Sequence, residues 1–111
     1  MAKVQESLVF DEQEIRNTSK TMSSTSDNEY MSIKTLIIEN GLNQALTAQC
    51  WGSRHSDMSH KFKIGGEWPI PAETDMYQTC ESYIPYWTLE VWADTAPTSG
   101  SLTVDVMKVE E

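Results

Sequence analysis

The sequence predicts an all-β fold: an antiparallel β-sandwich, jelly-roll-like, of about eight strands with an extended N-terminal arm. Three observations predict it. Short runs of alternating apolar and polar residues recur along the chain, at the period of two that a half-buried strand requires. Clusters of Gly, Pro, Asn, Asp and Ser separate these runs at the spacing of a sandwich. No segment carries a helical apolar stripe, and the connections are too short for helical crossovers, so the strands must pair antiparallel.

Residues 4–10 form the first strand-like run, which passes the acidic Asp11, Glu12 and Glu14 and ends near Ile15. Residues 17–28 are rich in Ser and Thr, which suits a solvent-facing edge strand around 17–22 and a turn at 26–28. The centre of the chain is residues 34–51. Two strand-like runs, 34–39 and 44–51, flank Asn40-Gly41, the strongest short hairpin signal present. Leu36 and Ile38 share one face of the first run, and Leu46, Ala48 and Cys50 share one face of the second.

Residues 52–59 read as a polar turn. Residues 60–64 alternate again, with Phe62 and Ile64 inward, until Gly65-Gly66 breaks the run. Pro69 and Pro71 cannot donate ladder hydrogen bonds, so residues 67–72 are an extended connection or an edge. A short strand at 76–80 and a bend at 82–85 come next. In residues 86–93, Trp87, Leu89, Val91 and Ala93 face one way, and Tyr86, Thr88, Glu90 and Trp92 the other. After a turn at 96–100, the last strand places Leu102, Val104 and Val106 inward. The division expected is residues 1–30 as an arm of edge strands in subunit contacts, and residues 31–111 as the sandwich core. The arm is the part that could pair with a neighbouring subunit instead of its own sheet.

A chain of 111 residues is one domain, long enough for a modest core between two facing sheets. Lys and Arg total 8 against 17 Asp and Glu, a formal charge of −9. That balance argues against nucleic-acid phosphates and anionic membranes as direct partners, since both require a basic surface. It opposes crowding of many copies unless specific contacts compensate. No stretch approaches a membrane span, and the N-terminus has no apolar signal core, so synthesis in the cytosol without a signal peptide is expected. Cys50 and Cys80 lie in no metal-ligand spacing; buried thiols are the simpler expectation, and a disulfide between neighbouring strands stays open.

Catalytic and metal sites are not expected. His55, Asp57 and His60 cluster in one loop, but two His in a Ser-rich turn lack the three or four converging ligands of a zinc or nickel site. Glu73, Asp75 and Asp94 do not form a calcium loop. There is no nucleophile elbow and no phosphate-cradling glycine loop. Cys50 with His55 or His60 could be named a dyad, but an inward thiol stays neutral and inert. The expectation is a protein without enzymatic activity and without a cofactor.

The aromatic residues carry the functional reading. Trp51, Trp68, Tyr86 and Trp92 fall on outward positions or loops, and Leu8 and Phe10 lie in the arm. These six are the candidate interface. An aromatic platform could stack on a sugar ring, but Tyr and Trp are also what buried interfaces select, and the interface reading is preferred. Trp92 alternates away from the core in a central strand, so something must cover it, most simply a second subunit.

The stretch Thr35-Leu-Ile-Ile-Glu-Asn-Gly-Leu-Asn-Gln-Ala-Leu-Thr-Ala-Gln-Cys-Trp-Gly-Ser-Arg54 resembles small β-sandwich virion structural proteins of tailed phages and prophages. Tyr83-Ile-Pro-Tyr86 and Thr95-Ala-Pro-Thr-Ser-Gly-Ser-Leu-Thr-Val104 are similar to the same group, so the resemblance covers residues 30–107. It implies a virion component, foremost a capsid decoration (cement) or other head-surface protein. It also implies partners that are copies of itself and a major capsid or other virion protein. Two other readings compete: a subunit of a strand-exchange filament completed by the N-terminal strand, and a carbohydrate- or receptor-binding module.

Overall fold

The computed structural model describes residues 4–28, 31–82 and 84–110, and every element in them is a β-strand. Tyr30, Tyr83 and the side chain of Cys80, which the sequence reading touches, lie outside the described positions. The strands are β1 (Val4–Gln13), β2 (Thr21–Met22), β3 (Ser26–Asp27), β4 (Met31–Asn40), β5 (Leu46–Ser53), β6 (Phe62–Ile70), β7 (Thr74–Ser82), β8 (Tyr86–Trp92) and β9 (Leu102–Glu110). They make two antiparallel sheets, ordered β1-β9-β4-β7 and β2-β8-β5-β6, with β3 also on β8. The short β2 and β3 meet the same partner at successive positions, so they are two pieces of one interrupted strand. The expected all-β sandwich of about eight strands is therefore the architecture observed.

The topology arises from one long antiparallel ribbon. β5 pairs β6, β4 pairs β7, β2 and β3 pair β8, and β1 pairs β9. Each pair encloses the one before it in sequence. The ribbon folds over on itself, and the additional pairs β4–β9 and β5–β8 close the two sheets. This is a jelly roll. With β2 and β3 taken as one strand, every connection except β5–β6 crosses from one sheet to the other.

That arrangement corrects the central expectation. Asn40-Gly41 does not turn a hairpin, because β4 and β5 lie in different sheets. A type I′ turn would require positive φ at both positions. Among the described residues positive φ occurs at Glu12, Met58, His60, Glu73, Gly65 and Gly100, and not at Asn40 or Gly41. The Gly41 amide instead donates to the Ser101 carbonyl at 2.8 Å. A Cβ on Gly41 would lie 3.1 Å from that same oxygen. Glycine is used here for close approach between two crossing connections, not for a hairpin twist. The true hairpin loop at the ribbon's tip is the polar turn of residues 54–61.

The core lies between the sheets. Leu36 and Ile38 of β4, Leu46, Ala48 and Cys50 of β5, Trp87, Leu89 and Val91 of β8, and Leu102, Val104 and Val106 of β9 form one buried cluster. These inward sets are the ones the alternation predicts. Residues 4–28 also contribute strands to the two sheets. β1 pairs β9 of its own chain, and Val9, Phe10 and Ile15 join the core.

Two bulges change phase where strict alternation would mislead. Along β1, Leu8 pairs Asp105 but Phe10 pairs Val104, so two residues of β1 oppose one of β9. Leu8 consequently faces out while both Val9 and Phe10 are buried. In β6, Gly65-Gly66 does not end the strand. Ala48 pairs Trp68 while Cys50 pairs Ile64, and the extra β6 residues bulge opposite Gln49. The buried Gln49 Nε2 donates to the carbonyls of Cys50 (2.9 Å), Gly65 (3.1 Å) and Ile64 (3.3 Å), which satisfies the disrupted ladder. Phe62, expected inward, is exposed at the start of this edge strand. Pro69 is tolerated because β6 is an edge.

Candidate functional surface

Strand pairing places the candidate residues. On β8, Tyr86 and Trp92 face away from the core and are half-buried, as is Trp51 on β5. In the register of this sheet Trp51 lies beside Thr88 and Lys63, and Trp92 beside Thr47. Lys20 sits with its Nζ 4.6 Å from the centre of the Trp92 ring, so part of that ring's cover comes from the chain itself. Lys61 and Lys63 hold their Nζ atoms 5.1 and 5.7 Å from the Trp51 ring. Trp51 Nε1 donates to Glu90 Oε1 at 3.3 Å. Each ring thus carries one or more ammonium groups against its π face.

Two of the six candidates are placed otherwise than expected. Phe10 is 3% exposed and belongs to the core, for the bulge reason above. Trp68 points inward beside Ala48 and packs against the core cluster from the β6 edge. There it forms one wall of a pocket of about 340 Å³, together with Ile64, Gly65, Gly66, Gln78 and Thr79. β6 and β7 are edge strands of opposite sheets, so this pocket is the open side of the sandwich.

Leu8 is exposed, and the fold gives it company that sequence reasoning missed. Leu8 pairs Asp105, Asp105 pairs Ile37, and Ile37 pairs Tyr77. Directly paired residues point to one face, so these four form a straight row across the outer surface of the β4 sheet. Leu8, Ile37 and Tyr77 are 49%, 41% and 72% exposed. A signal for Ile37 was present, since Leu36 and Ile38 cannot both face inward without turning Ile37 out. No such signal tied it to Leu8 or Tyr77, which lie on strands remote in sequence.

The loop of residues 54–61 is held by its own hydrogen bonds. Ser53 Oγ donates to the Ser59 carbonyl (2.7 Å) and accepts from the His55 amide (3.0 Å). The Ser59 amide donates to Asp57 Oδ1 at 2.9 Å, and these Ser59 bonds hold the exposed Asp57 carboxyl below its ordinary pKa, with a smaller contribution from His55. The His55 and His60 rings lie 5.8 Å apart and tilted. Among the described residues no three of His, Cys, Asp and Glu converge as metal ligands.

One end of the sandwich carries a buried polar group of a different kind. Lys108 continues the inward series of β9, and its Nζ donates to the Asp27 carbonyl of β3 at 2.9 Å, across the two sheets. Burial lowers its pKa, and the charge of Asp27 partly opposes that. Beside it Asn28 donates to the Ile84 carbonyl and accepts from Ser26 Oγ.

Among the described residues no helix is long and apolar enough to cross a membrane. No protein-family model and no curated protein matches the sequence. Solved structures do match the fold. PirA is similar over 94% of this chain and 92% of its own, at 11% identity and a TM-score of 0.56. VP2 of the infectious bursal disease virus subviral particle is similar over 97% of this chain, at 12% identity and a TM-score of 0.54. This chain spans only 32% of that protein. The tobacco streak virus coat protein is similar over 96% of this chain and 86% of its own, at 8% identity and a TM-score of 0.50. The jelly roll of this chain is therefore a fold it shares with viral coat proteins.

Proposed function

We propose that this chain is a structural subunit of a virion, specifically a capsid decoration (cement) or other small head-surface protein of a tailed phage. It acts through contacts with copies of itself and with a major capsid or other virion protein. The observation that carries this reading is the in-register row Leu8–Asp105–Ile37–Tyr77, three exposed apolar side chains and one carboxylate level with one another on the outer surface of a sheet. Monomers rarely present such a row without a partner for it. Trp51 and Trp92 on the opposite face add a second surface of interface character. VP2 of a subviral particle and a viral coat protein use the same fold, which supports the reading. It assigns the chain no reaction and no cofactor, and places it in the virion. The test is mass spectrometry of purified particles from the source, with light scattering of the isolated protein. The protein should be present in particles in stoichiometric copy number. Absence from particles would remove the reading, whatever the oligomeric state in solution.

One observation favours a second reading, a glycan- or receptor-binding module. The pocket at the β6–β7 edge combines the Trp68 ring with Gln78 and Thr79, an apolar wall and polar groups. Glycan-array binding that is lost in Trp68→Ala would establish it, and a blank array would dismiss it.

A further inference from the structure

We propose that copies of this chain stack through unlike faces, the outer surface of the β4 sheet of one copy lying on the outer surface of the β5 sheet of the next. This rests on the reading of the protein as a self-associating structural subunit. The β4 face presents Leu8, Ile37 and Tyr77 as exposed apolar bodies. Asp105 sits within that row, between Leu8 and Ile37, and the carboxylates of Glu6, Glu39 and Asp75 stand around it on β1, β4 and β7. The β5 face presents the rings of Trp51 and Trp92 with the ammonium groups of Lys20, Lys61 and Lys63 over them. Its carboxylates are Glu90, engaged by Trp51 Nε1, and Asp27, level with Tyr86 at one end of the sheet, away from the lysine-covered rings. One face is apolar with an acidic surround, and the other is aromatic with a basic cover.

The charge pattern selects the partner. Two β4 faces meeting would oppose carboxylates to carboxylates, and two β5 faces would leave the β4 row uncovered and bring the lysine clusters over the tryptophan rings together. Like charges across a contact are costly. Unlike faces set ammonium groups against carboxylates while the rings and Tyr77, Ile37 and Leu8 lose water together. The chain carries a net charge of −9, so copies repel at long range. At physiological salt that repulsion is screened beyond about 8 Å, while pairs in contact keep their attraction. A contact between unlike faces is heterologous, so it leaves one face of each kind open at the ends and propagates into a ring or a row.

The experiment uses two double variants of the full chain. Ile37→Asp with Tyr77→Asp removes the apolar row of one face and keeps it acidic. Lys20→Glu with Lys63→Glu reverses the charge of the other. All four side chains are exposed, and circular dichroism with thermal melting confirms folding; Ile37→Thr with Tyr77→Thr replaces the first pair should the strand not tolerate Asp. Light scattering against concentration should show the wild-type mass rising, with self-association of each variant weakened at least ~10-fold. Mixing the two variants should restore a 1:1 dimer and nothing larger, because only one wild-type contact remains possible. A wild-type protein that stays monomeric up to ~1 mM overturns the proposal. So does a variant that associates as the wild type does, or a mixture that stays monomeric. Particle composition separates this from the virion reading. Variants incorporated into particles like the wild type would sink the stacking alone. Stacking by a protein absent from particles would sink the virion reading alone.

Discussion

Asn40 and Pro71 are joined by a partly buried hydrogen bond: Asn40 Nδ2 donates to the Pro71 carbonyl at 2.9 Å. The same side chain accepts from the Leu42 amide through Oδ1 at 3.1 Å. Asn40 is 1% exposed, and its bond to the Leu42 amide is buried, while Pro71 lies at the surface. It ties the β4–β5 connection to the β6–β7 connection at one end of the sandwich. Asn40→Ala should destabilise the fold by about 1–3 kcal/mol, chiefly because the buried Leu42 amide loses its acceptor. Urea unfolding of the two proteins measures it. Asn40→Asp should recover only part of the loss, since a carboxylate accepts from Leu42 but cannot donate to Pro71.

Gly100 should accept no side chain. Its φ is +89°, and a Cβ there would overlap the Gly41 carbonyl and lie 2.9 Å from the Leu42 Cα. Backbone cannot swing aside as a side chain can. Gly100→Ala should cost at least ~3 kcal/mol and lower the melting temperature by more than ~10 °C. Gly66→Ala meets nothing within 4 Å and serves as the control, with a change under about 1 kcal/mol.

Trp87 is fully buried at the centre of β8, and its Nε1 has no hydrogen-bond partner among the described residues. Two terms oppose each other on shortening it. Trp87→Ala opens a cavity and should cost about 3–5 kcal/mol. Trp87→Phe also removes an unsatisfied buried donor, which returns part of the volume loss, so its cost should stay under about 1.5 kcal/mol. Chemical denaturation of both variants distinguishes the two. Equal losses would show that the indole nitrogen is satisfied in solution.

Lys108 should make stability rise in alkaline solution. Its folded pKa lies below the ordinary 10.5 because burial disfavours the ammonium. Between the folded value and 10.5 the unfolded chain binds more protons than the folded one, so stability increases with pH across that window. At neutral pH the lysine is charged in both states and the burial penalty is fully present. Lys108→Met should leave stability at about pH 7 within ~1 kcal/mol of wild type or raise it, and should abolish the rise toward about pH 10. Unfolding midpoints at the two pH values, in both proteins, read this out.

The strands were legible because alternation is local. Leu36 with Ile38, Leu46 with Ala48 and Cys50, Trp87 with Leu89 and Val91, and Leu102 with Val104 and Val106 all face the core as their spacing demands. Asn40-Gly41 was misleading for a local reason too. The dipeptide permits a tight hairpin, but permission is not pairing, and the β4 strand finds β7 and β9 instead. Phe10 was misplaced because a single inserted residue in the β1 bulge shifts the face of the residues after it, and Trp68 because β6 continues past Gly65-Gly66, where the sequence suggests a break. Whether a bulge forms depends on what the partner strand offers, as Gln49 does opposite Gly65 and Gly66.

By itself the sequence determined the class of fold, most inward faces and the net acidic balance. These depend on periods of two residues, on turn chemistry and on totals, which are properties of short segments or of the whole chain. The tertiary structure alone decided which strands are neighbours. The row from Leu8 to Tyr77 draws on β1, β9, β4 and β7, and the lysine-covered tryptophans draw on β5, β6, β8 and the segment before β2. Surfaces of this kind come into being only when pairing register brings distant residues level with one another, and no local pattern encodes that register.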